Sequence, residues 1–127
     1  MSPEVERLHD LARTFGRYRP MAYMFVLECL GVTIDAARRK GQEGHITGQE
    51  LLAGIEDFAR GQFGYLGAAV FREWGLKTTR CFGEIVFQLA DAGFLSRQES
   101  DSIDDFNEGA SFETTFETDP IPKRYRL

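Results

Sequence analysis

The block of residues 45–95 constrains this chain most, because it has the pattern of three amphipathic helices separated by short, glycine-marked turns. Thr47 and Glu50 have the spacing of a capping box, which predicts a helix start at Thr47. Apolar residues then recur at spacings of three and four, so each helix has one face to bury. Glycine marks the predicted end of each helix, at Gly64, Gly75 and Gly93. Residues predicted for the buried face of the last helix are Phe82, Ile85, Val86 and Leu89.

Two further helices are predicted before this block. Ser2 and Pro3 are typical of a helix start, and Gly16 marks the predicted end of that helix. A longer helix is predicted to start in residues 18–20 and to end at Gly41, with cationic residues in its last turn.

The pattern changes after Leu95. Residues 98–110 are polar and acidic, whereas residues 111–118 alternate in a way that suits a strand. The four-residue spacing of Phe112 and Phe116 also suits a helical turn. With a first strand at residues 94–97, the order becomes helix, turn, helix, strand, acidic loop, strand. The sequence therefore predicts a mainly α, winged-helix-like domain with a small β-hairpin.

Length and pattern predict one domain over residues 1–127, since 127 residues is an ordinary domain size. It is divided into an N-terminal helix at 1–17, a helical core at 18–97 and an acidic wing or tail at 98–127.

The net charge of −5 is concentrated at one end of the chain. Residues 1–97 carry twelve acidic and twelve basic side chains, whereas residues 98–127 carry eight acidic and three basic ones. Nucleic-acid affinity depends strongly on Lys and Arg contacts to phosphate. The balance therefore argues against a nucleic acid as partner.

The sequence predicts a cytoplasmic protein. The longest apolar stretch is interrupted by Glu28, and the polar, acidic start does not resemble a signal peptide, so no membrane association is expected. In a reducing compartment, Cys29 and Cys81 are predicted to be buried small residues rather than a disulfide.

No motif indicates catalysis, a metal or a cofactor. His9, His45, Cys29 and Cys81 lack the local spacing of zinc ligands. The chain has no nucleophile-elbow pattern and no phosphate-binding glycine loop. We therefore expect no enzyme activity, no metal site and no cofactor.

Candidate interaction residues are aromatic. Trp74, the single tryptophan, is either a core anchor or an interface anchor. Ile103, Phe106, Phe112 and Phe116 interrupt the acidic segment. These four side chains either pack back on the body or present apolar anchors to a basic partner.

Arg72, Lys77 and Arg80 surround the turn before the last predicted helix. That region faces DNA in a winged helix, so these residues are weak candidate nucleic-acid contacts, and an ordinary solvated turn is the favoured explanation.

Four stretches together resemble a family of small bacterial proteins: residues 19–26 (RPMAYMFV), 45–52 (HITGQELL), 74–75 (WG) and 82–87 (FGEIVF). The resemblance covers residues 18–116. It implies a small bacterial cytosolic protein, and it implies no activity and no catalytic residues.

The leading hypothesis is a protein-interaction or regulatory module, with a protein partner or self-association. The alternatives are a DNA-binding transcriptional regulator and an enzyme of a type that no motif reveals.

Overall fold

The computed structural model describes residues 2–42, 45–95 and 103–106, and these ranges are helical. Five α-helices and two 3-10 turns follow one another in the described residues. They are α1 (Pro3–Phe15), α2 (Pro20–Arg39), α3 (Gly48–Phe63), the 3-10 turn Gly64–Leu66, α4 (Gly67–Glu73), α5 (Thr79–Asp91) and the 3-10 turn Ile103–Phe106.

The predicted starts of α1 at Ser2 and of α3 at Thr47 are confirmed. The Ser2 hydroxyl caps α1 by accepting a hydrogen bond from the Val5 amide. At α3 the Thr47 hydroxyl accepts from the Glu50 amide, and the Glu50 carboxylate accepts from the Thr47 amide, which completes the capping box. At α5, Thr78 occupies the cap position without a side-chain capping bond, and its hydroxyl lies 3.7 Å from the Cys81 sulfur instead.

Replacement of Thr47 by alanine is expected to lower the free energy of unfolding by about 1 kcal/mol, because the Glu50 amide at the start of α3 loses its acceptor. Denaturant unfolding followed by circular dichroism measures this loss. Thr47→Ser retains the hydroxyl and serves as the control. Equal stability of the alanine variant and the wild type would contradict the capping role.

Helix α2 lies at the centre of the domain and packs against α1, α3 and α5. The crossing of α2 and α3 is close because Gly54 faces Thr33: a Cβ on Gly54 would lie 2.1 Å from the Thr33 hydroxyl oxygen. The core continues onto α5, where the predicted residues Ile85, Val86 and Leu89 are all buried. The buried residues of α2 are Ala22, Tyr23, Phe25, Val26 and Cys29.

The prediction of a winged-helix-like domain with a β-hairpin is wrong. Residues 2–42, 45–95 and 103–106 contain no strand. Gly93, at φ 86°, ends α5, and the Phe94 amide donates to the Leu89 carbonyl at 2.9 Å. This is a Schellman ending, so the Phe94 amide terminates a helix instead of joining a strand ladder. The chain then bends at Phe94 and Leu95.

The remainder of the predicted hairpin falls outside the described residues, because residues 96–97 and the second strand at 111–118 belong to the undescribed part of the chain. Within the segment that the sequence assigned to an acidic loop, Ile103–Phe106 forms a 3-10 turn.

Within the described ranges, α2 is the one helix that is long and apolar enough to cross a membrane by length and composition. The core helix of a folded domain meets the same two criteria. Five of the residues of α2 are buried against the other helices here. The prediction of no membrane association stays a prediction.

Candidate functional site

Two distant parts of the chain are held together at one end of the domain. The connector between α1 and α2 lies against the turn between α4 and α5, and the Arg19 amide donates to the Trp74 carbonyl at 3.0 Å. Gly75 has φ 91°, and a Cβ there would lie 2.5 Å from the Arg17 carbonyl oxygen. The close approach therefore depends on glycine, both for its backbone conformation and for the missing side chain.

A cleft of about 480 Å³ opens where these segments meet α1. We call it the arginine cleft. Its lining residues are His9, Ala12, Arg13, Gly16, Arg17, Tyr18, Arg19, Pro20, Arg72, Glu73, Trp74 and Gly75.

Positive charge dominates the lining of the arginine cleft. Four guanidinium groups line it, against the single carboxylate of Glu73. Arg19 pairs with Glu73 at 3.6 Å, Arg13 with Asp10 at 3.2 Å and Arg17 with Glu84 at 3.1 Å. The Arg19–Glu73 and Arg13–Asp10 pairs are solvent-exposed on both sides, and exposed ion pairs contribute only about 0–1 kcal/mol each. An incoming anion can therefore exchange with Glu73 and Asp10 at small cost, whereas Glu84 is only 23% exposed and also accepts from the Tyr18 hydroxyl.

Aromatic side chains make the wall of the arginine cleft rigid and partly apolar. The Trp74 ring packs on Phe25, Phe63 and Phe71, with centroid distances of 5.4, 5.8 and 6.2 Å. Beside the cleft, the Phe15 ring is 41% exposed and stacks on Tyr18, with 6.0 Å between centroids.

Two buried tyrosines connect the start of α2 to α5. The Tyr18 hydroxyl donates to Glu84, and one turn further along α5 the Tyr23 hydroxyl donates to Gln88. Burial, and then the negative charge of Glu84, raises the pKa of Tyr23 to about 12. Burial and hydrogen bonds with Cys81 and Glu84 raise the pKa of Tyr18 as well. Both rings therefore favour the neutral phenol.

These shifts predict a loss of stability in alkali. As the pH rises from about 10 to about 12, Tyr23 loses its proton in the unfolded chain but retains it in the folded one. Stability then falls by about 1.4 kcal/mol per pH unit for each such tyrosine. Tyr23→Phe should reduce this slope in denaturant melts at pH 10–12.

Comparing the wild type with Tyr23→Phe isolates the tyrosine, because both proteins retain Cys29. Burial, and then the negative charge of Glu28, raises the pKa of the Cys29 thiol to about 12. Cys29 adds a loss of the same sign that begins near pH 9. Melts of both chains at pH 7 measure the cost of the lost Gln88 hydrogen bond separately. An unchanged slope in Tyr23→Phe would contradict the assignment.

Both cysteines are free and buried, as the sequence predicts. Burial alone would raise the pKa of the Cys81 thiol. Hydrogen bonds with Tyr18 and with the backbone of Lys77 and Thr78 outweigh this effect, so the pKa of Cys81 lies below its usual value. Cys81 belongs to the first turn of α5, near the junction of α5 with Tyr18.

Potential metal ligands do not cluster in the described ranges: no group of three or more His, Cys, Asp or Glu side chains could hold a metal ion there.

The residues that the sequence proposed as sites have different surroundings in the structure. Trp74 lines the arginine cleft, and so does Arg72. Lys77 is exposed, and the Arg80 guanidinium donates to the Asp104 carboxylate at 2.9 Å; neither of these two residues lines the arginine cleft. Phe106 is buried against the protein's own helices. Phe112 and Phe116 lie outside the described residues.

Sequence reasoning missed the arginines before α2, namely Arg13, Arg17 and Arg19. Their side chains join Arg72 only because α4 ends beside the α1–α2 connector. The one local sequence feature that pointed to the cleft was the basic connector Arg17-Tyr18-Arg19. An ordinary solvated turn can have the same residues.

Comparisons with family models, with curated proteins and with solved structures find no match to this chain. The resemblance to a bacterial family stays a prediction.

Proposed function

We propose that this protein is a cytoplasmic protein-interaction module without catalytic function, and that its arginine cleft receives an acidic segment of a partner protein. The convergence of Arg13, Arg17, Arg19 and Arg72 on one cleft carries this proposal. Residues 1–97 have no net charge, whereas the cleft lining has four arginines and one glutamate, and Asp10 and Glu84 pair with two of these arginines from outside the lining.

The kinds of side chain present support a protein partner. Arginine and tryptophan are enriched at the energetic centres of protein interfaces. Trp74 is held by three aromatic neighbours, so it loses little conformational freedom on binding. Exposed Phe15 adds apolar contact area beside the cleft.

Trp74 also provides the test, because it is the only tryptophan and it lines the cleft. Hexaglutamate, titrated into the full chain at low salt, should change the tryptophan emission. Binding should weaken as salt is added, because exposed charges are screened. The double variant Arg13→Gln/Arg72→Gln should bind about fivefold to thirtyfold more weakly, since each guanidinium contributes about 0.5–1 kcal/mol.

Arg38→Gln/Arg39→Gln is the matched control, because it removes the same charge from the last turn of α2, away from the cleft. It should bind like the wild type. The proposal fails if hexaglutamate leaves the emission unchanged, or if both double variants lose affinity equally. Tighter binding of a single-stranded oligonucleotide of the same charge would overturn it in favour of a nucleic-acid partner.

A further inference from the structure

The turn Ile103–Phe106 lies on the first turns of α3 and α5, as a bound ligand would. The Phe106 side chain is 2% exposed. The Phe106 carbonyl accepts a hydrogen bond from the buried Thr79 hydroxyl. Two residues earlier, the Asp104 carboxylate accepts from the Arg80 guanidinium at 2.9 Å.

Two glycines shape the surface under this turn, which we call the glycine groove. A Cβ on Gly48 would lie 2.9 Å from the Phe106 ring, and a Cβ on Gly83 would also lie 2.9 Å from it. The same Cβ on Gly83 would lie 3.0 Å from the Ile103 side chain. Real Cβ atoms essentially never come this close to another atom. The space for the aromatic ring therefore exists because both helices carry glycine where they meet it.

The glycine groove contacts three features of the segment that occupies it. The paired glycines admit a flat aromatic ring, the Thr79 hydroxyl binds the carbonyl of the same residue, and Arg80 binds an acid two residues before it. We propose that the glycine groove is a binding site for an acid–x–aromatic turn, occupied here by the chain's own Asp104–Phe106. A partner segment with the same pattern binds there by displacing that turn.

One contact of the turn is exposed, whereas the Phe106 ring and its carbonyl hydrogen bond are buried. The Arg80–Asp104 pair is exposed, with 46% and 73% of the two side chains accessible, and exposed pairs add little binding energy. The chain's own turn has the advantage of its tether, which supplies an effective concentration on the order of millimolar. A free segment must therefore compete at that level, and the turn acts as an autoinhibitory ligand. The glycine groove shares no lining residue with the arginine cleft, so the two proposals stand independently.

The test is a binding titration with a fluorescein-labelled peptide of residues 101–108. Full-length Phe106→Ala retains the groove but lacks the anchor of its own turn. It should bind the peptide at least about tenfold more tightly than the wild type, because the tethered competitor is weakened. Adding Gly83→Leu fills the groove and should abolish binding. Equal affinity of Phe106→Ala and the wild type, or binding that survives Gly83→Leu, would overturn the proposal.

Hydrogen exchange of the wild-type amides tests the same idea without any substitution. A displaceable turn opens locally, so the backbone amides of residues 103–106 should exchange much faster than those of Ile85 and Leu89 in α5. Equal protection of the turn and α5 would show that the turn opens only when the domain unfolds. That result, or a Phe106→Ala chain that does not fold, would reject displacement.

Discussion

Leu89→Ala is expected to lower the free energy of unfolding by about 2–5 kcal/mol, the range found when a fully buried leucine is truncated. Leu89 has no exposed surface and lies on the face of α5 that also carries Ile85 and Phe82. The loss combines the transfer free energy of the removed carbon atoms with the cost of the cavity that remains. Urea unfolding, followed by circular dichroism at fixed protein concentration, measures it.

Leu66→Ala is the matched control, because it removes the same atoms from a side chain that is 52% exposed. That variant should change stability by no more than about 0.5 kcal/mol. If the two leucines cost the same, or if Leu89→Ala costs less than about 0.5 kcal/mol, α5 does not pack by the face that the structure gives it.

The helices were predictable because their signals are local. Thr47 and Glu50 satisfy each other within one turn, and Gly16 and Gly93 adopt the left-handed conformation that ends α1 and α5. The burial of Leu89 follows from its spacing within α5. Such features need only the chain within a few residues, so a sequence pattern can identify them.

The hairpin was mispredicted at a point where local patterns compete. Phe94 and Leu95 are apolar and follow a glycine, which is typical of a strand start as well as of a helix end. The Phe94 amide can make only one of the two sets of hydrogen bonds, and it donates to the Leu89 carbonyl. The Arg7 guanidinium lies over the Phe94 ring, 4.5 Å from its centroid, and donates to the Ala92 carbonyl at 2.7 Å. This contact between α1 and the end of α5 is tertiary, and the sequence does not reveal it.

The arginine cleft and the glycine groove could not be predicted from the sequence, because both form through tertiary contacts. Arg13 and Arg72 are far apart in sequence and line one cleft only after α4 meets the α1–α2 connector. Gly83 lies inside α5, where the sequence alone shows only that glycine is a poor helix former. Its close contact with Phe106 becomes visible once the turn is in place. For Phe106, burial of the side chain in this structure favours packing on the body over facing a partner.

Gly75→Ala is expected to cost about 2–5 kcal/mol, as much as Leu89→Ala, and to act at the arginine cleft. Gly75 has φ 91°, which costs an L-residue about 1–2 kcal/mol. Its new Cβ would also meet the Arg17 carbonyl oxygen at 2.5 Å, and overpacking of this kind costs about 1–3 kcal/mol. The atoms that this Cβ would meet belong to the backbone of Arg17 and Tyr18. The clash can therefore be relieved only if the α1–α2 connector moves away from Trp74.

Gly31→Ala is the control for the same chemical change. Gly31 lies within α2, and a Cβ there would meet nothing within 4 Å. Alanine at an exposed helical site should stabilise the protein by about 0.5–1 kcal/mol, so the two substitutions are expected to differ in sign. Movement of the connector should also weaken hexaglutamate binding in Gly75→Ala while Gly31→Ala binds normally, because Arg17 and Arg19 are carried on that connector. If Gly75→Ala has the stability of the wild type, the α1–α2 connector does not approach Gly75 as closely as the structure shows.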